Sequence, residues 1–525
     1  METWKADDGH APTKFKIPKP IDTEPSAAVT EAISAARIEI AKMGSPPEDG
    51  QPLSPMGRLF HKPESNMYIV SIVGTKSWID PDHFKLNIIP FYIYPRFNCL
   101  QVPDESSEDA ASSANLRWAK AEVDLEQHIF TRYIESKYMA DGGADKYIED
   151  FLYELTKTSI DMSKPLWDVH ILNLSEPTSQ GAMAVTIVRF HHSIGDGMSL
   201  MSFFLSLTRK ASDPNTPPSL PVLFRKPAKR QSKMRLAWWF MSFIWNTLVD
   251  VLTILATAFF LVDTPNPLKG PEDAGKNPRR IMMRCLSMDD VKLVKDVTKT
   301  TINDVVMGAT EAALTRYLNR RYGEENKIRK NGNDDNLPKT LRVRGAILFN
   351  VRVLPGFQPM DTIMEKRSGA KWGNRVGHVL YPLKLKLHDD NPLEYVYKAN
   401  AVMNRKKASL GSYFSYYFGN FIINTFGIKL ASLPTNTSFW FSNMPGPQEE
   451  ITMFGYPVAY VGCSCYGQPM ALFIHAITYA DKLNFVISVD EHTICDPQQL
   501  CDDLEQSFEL IKTAAMAKRC RAKQQ

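Results

Sequence analysis

In the stretch RFHHSIGDGMSL, Arg189 to Leu200, two adjacent histidines, His191 and His192, precede Asp196 and Gly197 by four and five residues counted from the second. An imidazole can take a proton from a substrate when one ring nitrogen offers a lone pair and a partner fixes the other. Asp196, across a tight loop, can tie that loop by an ion pair or hydrogen bonds, and Gly197 leaves room for a substrate to approach the backbone. The plain alternative is a satisfied pair of core histidines, but four such residues at fixed offsets favour catalysis. A metal site is disfavoured, because no third ligand lies nearby and no HExxH or CxxC pair occurs; Cys463 and Cys465 stand one residue apart. No GxSxG elbow is present, since Gly462-Cys-Ser464-Cys-Tyr lacks the second glycine, and GTKS at 74–77 lacks the upstream glycine of a phosphate loop.

These residues need an element that stops abruptly. GAMAVTIVRFHH is almost purely apolar and β-branched over Ala182–Val188, as an interior strand is; Gly195 and Gly197 break it, and MSLMSFFLSLTRK resumes at helical period. PLWDVHILNL reads as the preceding strand, across the turn SEPTSQ. Neighbouring side chains on a strand face opposite ways, so one histidine supports the backbone while the other projects into a channel. Arg352, in FNVRVLPG, is a candidate partner for Asp196. TINDVVMGATEAALTRYLNRRYG reads as an amphipathic helix capped by Thr301 or Asn303, and the last helix begins at Pro497 with Asp496 placed to cap it.

The 525 residues are too many for one ordinary core, which predicts two lobes. A net charge of +4 makes no global demand for nucleic acid, and seven scattered cysteines fit a reducing compartment. METWKADDGHAPTKFK holds no signal-type apolar run, so the sequons at Asn173 and Asn436 are expected to stay unglycosylated. The expected divisions are a polar tail at 1–50, an N-terminal lobe carrying the histidines at 51–215, a basic linker with an apolar helix at 216–280, and a C-terminal lobe at 281–525.

The HHxxxDG pattern resembles the signature of the CoA-dependent acyltransferase superfamily. PLSPMGRLF (52–60), YPRF (94–97), PLWDVHIL (165–172), TINDVV (301–306) and FSNMPGP (441–447) follow the order of the plant branch of the wax ester synthase/diacylglycerol acyltransferase family. The family's PRF is usually preceded by histidine, whereas Tyr94 stands here. The DFGWG segment of the BAHD acyltransferases, which share HxxxD, is absent. The resemblance implies an α/β protein of two-lobed chloramphenicol acetyltransferase-like fold, with mixed sheets, flanking helices and a central channel. It implies acyl transfer from acyl-CoA to a fatty alcohol or diacylglycerol, with no permanently bound cofactor. His192 is then the base, His191 structural and Asp196 the loop holder, while Asn303, Ser442 and Asn443 are candidate substrate or oxyanion donors. The alternatives are a condensation-type enzyme using carrier-bound acyl groups and a catalytically silent lipid-binding scaffold. The intact HHSIGDG speaks against the scaffold, and the lack of carrier segments speaks against the condensation enzyme.

LAWWFMSFIWNTLVDVLTILATAFFLV, Leu236 to Val262, is long enough to span a bilayer. Ser242, Asn246, Asp250, Thr253 and Thr257 nevertheless form a polar stripe, opposite Trp238, Trp245, Leu248, Leu252, Leu255 and Phe259. Arg225, Lys226, Lys229, Arg230, Lys233 and Arg235 lie just upstream, as suits an anionic cytosolic leaflet. A single span would also put His192 and Asn443 on opposite sides of the membrane. The expectation is therefore an interfacial helix within Arg225–Val262, the alternative being a helix packed inside the protein; the resemblance implies the cytosolic face of the endoplasmic reticulum, with the plasma membrane as a second location.

Overall fold

The computed structural model describes residues 17–20, most of 26–35, and 50–524 apart from 63–64, 89–94, 105–115, 140–141, 220–231, 272, 327–335, 353–356, 359, 361–371, 389, 431–432 and 434. Tyr94, the basic residues 225–230 and most of the 1–50 segment lie outside the described residues. From that segment Pro18 offers its carbonyl to Arg132 Nε at 3.1 Å, and Val29 is buried.

The first half of the chain runs α1 (Pro55–Leu59), β1 (Tyr68–Thr75), α2 (Pro81–Asn87), β2 (Cys99–Pro103), β3 (Leu116–Lys120), β4 (Ile129–Ile134), α3 (Gly143–Thr156), β5 (Trp167–Leu174), β6 (Ala184–His191), α4 (Gly197–Ser206) and β7 (Thr208–Lys210). After the apolar helix α5 (Lys233–Phe259) come β8 (Arg279–Ser287), α6 (Met288–Thr298), α7 (Ile302–Asn326), β9 (Arg344–Asn350), β10 (Val376–Pro382) and α8 (Leu393–Lys407). The chain then continues through α9 (Gly411–Leu430), β11 (Phe439–Met444), β12 (Ile451–Met453), β13 (Tyr456–Tyr466), β14 (Leu472–Tyr479), β15 (Lys482–Asp490) and α10 (Pro497–Gln524).

Two mixed sheets carry the lobes. The first has the order β4-β5-β6-β1-β13-β12-β7 and the second β10-β9-β11-β14-β15-β8; β2 and β3 pair separately. The β-branched run of β6 lies between β5 and β1, buried nearly throughout, which is why it shows no polar alternation. Parallel pairing occurs at β4–β5 and on both sides of β11. Two apolar cores follow, one around the first sheet and one between the second sheet and α6, α7, α8 and α10.

β7 is the last strand of the first half in the first sheet and β8 opens the second, but the chain also returns. β13, from the C-terminal half, pairs antiparallel with β1 from Tyr68↔Tyr466 to Thr75↔Val458, and β12 joins it to β7. The glycine of SNMPGP belongs to this return path. Its amide donates to Thr478 Oγ1 at 3.0 Å, and a Cβ on Gly446 would collide with the Thr478 carbonyl.

Two caps are decided by the structure. Thr301, not Asn303, caps α7: Thr301 Oγ1 accepts from the Asp304 amide at 3.3 Å, while Asp304 Oδ2 accepts from the Thr301 amide at 2.9 Å. The expected cap of α10 differs. Its helix does start at Pro497, but the Asp496 carboxylate accepts from Tyr317 Oη at 2.9 Å and Arg320 Nη1 at 2.6 Å. A buried tyrosine and a cation outcompete the helix's own amides for those oxygens.

Helix α5 docks through part of its polar stripe. Asn246 Nδ2 donates to Ala408 O at 3.3 Å, Asp250 pairs with Lys406 at 2.7 Å, and Thr257 Oγ1 accepts from Arg344. Opposite these contacts Trp245, Leu248, Leu252 and Phe259 stand exposed, with Leu255 half-buried. N-terminal to Ser242 the helix is exposed on all sides, so the stripe extends over only the part that meets the body.

Candidate active site

The candidate site lies at the C-terminal end of β6. The strand closes on His191, and Asp196 caps α4, its Oδ1 accepting the Ser199 amide at 3.0 Å. The intervening loop is held by its carbonyls: Ile194 O accepts from Arg96 Nη1 at 2.9 Å and from Trp372 Nε1 at 2.7 Å. Arg96 is the arginine of YPRF. Trp167, of PLWD, donates to Phe97 O at 2.8 Å, and Asp168 pairs with Arg189 at 2.5 Å just below the histidines.

The two imidazoles differ in tautomer and in surroundings. Asn374 Nδ2 donates to the His192 carbonyl at 2.8 Å, which fixes the amide so that Asn374 Oδ1, 3.1 Å from His192 Nδ1, must accept. His192 therefore carries its proton on Nδ1, and Nε2 holds the lone pair. For His191 the order is reversed. Gln101 Nε2 donates to Ser193 Oγ at 2.7 Å, leaving the Ser193 hydroxyl to donate to His191 Nδ1 at 2.6 Å. His191 Nε2 faces the Phe60 carbonyl and Asn66 Oδ1, each at 3.2 Å. Both nitrogens of His191 are engaged, the ring is fully buried, and His61 stacks on it at 4.2 Å.

His192 borders a cavity of about 570 Å³, within the ~300–1,000 Å³ range of small-molecule pockets. Its wall is mainly apolar and is drawn from both lobes, and Phe60 lies over the imidazole at 4.3 Å. Burial lowers the His192 pKa, against smaller raising effects of Asp196 and Asn374, so the ring is neutral near pH 7. Burial, then the neighbouring His61 and His192, push His191 far below its ordinary value.

Burial alone would raise the Asp196 carboxyl, yet it is held below its ordinary value by Arg352 and the amides of Arg375 and Ser199. Arg352 grips it with both nitrogens, Nη1 to Oδ2 at 2.8 Å and Nη2 to Oδ1 at 2.9 Å. Arg352 Nη2 also donates to Ser199 Oγ at 2.9 Å and Gly373 O at 2.7 Å. Arg352, a candidate partner by sequence, thus does pair with Asp196, and it clamps the HHSIGDG loop to the segments beside β9 and β10 of the other lobe.

Gly197 borders the cavity, where a Cβ would reach Met444 Sδ at 3.4 Å. Ser442 and Asn443, on β11, line the same cavity as His192. Asn303 is not part of that wall, but its Oδ1 accepts from Asn443 Nδ2 at 3.0 Å while its own buried Nδ2 has no partner among the described residues.

Asn374 and His475 were not anticipated from sequence. Asn374 sits in WGNRVGHVLY at the approach to β10, where an asparagine next to glycines reads as a turn. His475, on β14 beside Ser442, lines the cavity with its Nε2 3.9 Å from Cys465 Sγ. Burial lowers His475 to about 3 and raises Cys465 well above the thiol range, so this pair holds no thiolate. A neutral imidazole at His192, with its orientation fixed and Nε2 basic, can take a proton from a hydroxyl in an apolar chamber.

Residues 96–306 match the wax ester synthase/diacylglycerol acyltransferase catalytic domain, and 372–512 match the WS/DGAT C-terminal domain. The chain is 38% identical to wax ester synthase/diacylglycerol acyltransferase 5 of Arabidopsis thaliana over 486 residues, 89% of this chain and 94% of that one. It is 40% identical to wax ester synthase/diacylglycerol acyltransferase 4 of the same plant over 497 residues, 91% and 92% of the two chains. Among solved structures, the wax ester synthase/diacylglycerol acyltransferase from Marinobacter aquaeolei VT8 aligns with a TM-score of 0.56 at 18% identity, covering 89% of this chain and all of that one. The condensation domain of the Monacolin K polyketide synthase MokA aligns with a TM-score of 0.50 at 11% identity, over 89% and 97% of the chains.

Proposed function

The chain belongs to the wax ester synthase/diacylglycerol acyltransferase family and is an acyl-CoA-dependent O-acyltransferase, and from this we propose that His192 is its general base. His192 Nε2 takes the proton of an acceptor hydroxyl as the oxygen attacks the thioester carbonyl. The new C–O bond forms, and the carbonyl electrons move to the oxyanion. Collapse breaks the C–S bond, and the departing sulfur takes the proton back from the imidazolium, leaving ester and free CoA. Asn443 and Ser442, in the same wall, are the proposed donors to the oxyanion, with Asn303 orienting Asn443. His191 and Asp196 position the loop and carry no proton in the reaction.

The observation that carries this reading is the Nδ1–H of His192 locked onto Asn374, on a ring that borders an apolar cavity. The acceptors proposed are a fatty alcohol, a diacylglycerol, or both. The exposed apolar side of α5 and the basic residues at its start support membrane association, proposed for the cytosolic face of the endoplasmic reticulum. Palmitoyl-CoA labelled in the acyl group, offered with hexadecanol and diacylglycerol, tests the chemistry. His192→Ala is expected to lose about 10²–10⁴-fold of ester formation. Full activity in that variant would overturn the assignment, and the labelled product of the wild type identifies the acceptor.

A further inference from the structure

Helix α5 is not alone in turning an apolar face outward. On α9, Tyr413, Tyr417 and Phe421 recur every four residues on one side and are exposed, while Phe418 and Ile422 line the catalytic cavity on the other. From Gly411 to Ile428 this helix contains no Asp, Glu, Lys or Arg. The two helices meet where α9 begins: the Leu410 amide donates to Thr247 Oγ1 at 3.1 Å. On α5 the window from Leu236 to Val262 holds a single charged residue, Asp250, turned inward to Lys406. The outer surface of the pair is therefore apolar and uncharged. Lys233 and Arg235 stand exposed at one end of it, and Lys407 stands exposed just before α9.

The same two helices reach the chamber that holds His192. Ile254 and Thr257 line it from α5, and Phe259 lines it while remaining 71% exposed, so the cavity opens onto this surface beside the C-terminal end of α5. The α5 side of this opening is edged by the exposed Ala258 and Phe259, which suits a lipid; of the nearby arginines, Arg344 is turned inward to Asp263 and Arg342 donates to the Val262 carbonyl.

We propose that α9 forms, with α5, one bilayer-facing platform, and that the uncharged acyl acceptor passes from the membrane through the opening at Phe259 to His192. This rests on the proposed membrane association and assigns it a second helix and a substrate. The bilayer is favoured as the occupant because basic residues flank an otherwise uncharged apolar face, as an anionic leaflet requires.

The test uses the full chain with phosphatidylcholine/phosphatidylserine vesicles carrying hexadecanol, and in parallel with hexanol in vesicle-free buffer, palmitoyl-CoA being the donor in both. Tyr417→Glu/Phe421→Glu changes only the outer side of α9. Its expected effect is a loss of about tenfold or more with vesicle-borne hexadecanol, the scale of withdrawing two aromatic side chains from lipid, and a hexanol rate within about twofold of wild type. Trp245→Glu/Leu252→Glu, on α5, is expected to behave the same way. If the α9 variant turned over vesicle-borne hexadecanol like the wild type, while wild type floated with vesicles, the role of α9 would be wrong and α5 alone would remain. If wild type itself failed to float with vesicles, the membrane reading would fall, and this route with it. Equal loss on both acceptors would point to a damaged site and overturn the platform.

Discussion

His191 and His192 hold their protons on opposite ring nitrogens, and the roles proposed for them rest on that difference. Ser193 occupies the basic nitrogen of His191, whereas Asn374 occupies the protonated nitrogen of His192. This fixes a pH signature. His192 lies below its ordinary 6.5, so kcat/KM is expected to stay level near neutrality and to fall only as pH drops through a value under 6.5, where the ring gains a second proton. The bond to Asn374 favours the protonated ring and so raises that value; its removal moves the acid limb further down. Asn374→Ala is thus expected to slow turnover by about tenfold, through lost orientation, while shifting the acid limb to lower pH. A rate profile from pH 4.5 to 8 checks both, and a limb that moved upward would contradict the tautomer assignment. The histidines and Asp196 were legible in sequence because they crowd one strand-to-helix junction. Asn374 was not, since it arrives from 182 residues away and no local pattern announces it.

At the scale of elements, the polar stripe of α5 was legible because its spacing matches a helix turn, and Asn246, Asp250 and Thr257 do meet the protein. Helix α9 was less so. Its sequence, GSYFSYYFGNFIINTFGIKL, is rich in aromatic and β-branched residues that favour strands, and tertiary packing overrides that preference. The docking of α5 depends on Asp250, which is 2% exposed and faces Lys406 and Arg405, at 2.7 and 3.2 Å. Asp250→Ala would strand the buried Lys406 ammonium, at a cost of about 3–5 kcal/mol. Denaturant unfolding should show that loss, and amide exchange should rise along 246–257 as the helix lifts. Replacing both partners, Asp250→Leu with Lys406→Met, removes the stranded charge and is expected to recover most of the stability. A double variant as weak as the single one would show that the pair is not what seats the helix.

Across the whole molecule, the two lobes cannot be separated by one cut. Sequence could mark strands in the last third of the chain, yet strand period says nothing about which neighbour a strand will choose; that choice is made by contacts hundreds of residues apart. β13 lies between β1 and β12 in the first sheet, so the N-terminal half alone would leave β1 as an open edge of Tyr68, Ile69, Val70, Ile72 and Val73. The same crossing brings Cys463 and Cys465 from β13 into the wall of the cavity, beside residues of β1 and β6. The chamber bordered by His192 therefore exists only when the C-terminal half has threaded its strand into the N-terminal sheet. Expressed alone, a fragment ending at Ser219 is expected to aggregate, because an unpaired apolar edge strand recruits other chains. Expressed together with the remainder of the chain, it is expected to return to the soluble fraction and to recover acyl transfer. Tyr460→Pro in the second fragment would remove a strand amide opposite Gly74 and should abolish that rescue. A lone N-terminal fragment that stayed monomeric and folded would mean that β13 is a late addition to a finished sheet, not a strand the sheet requires.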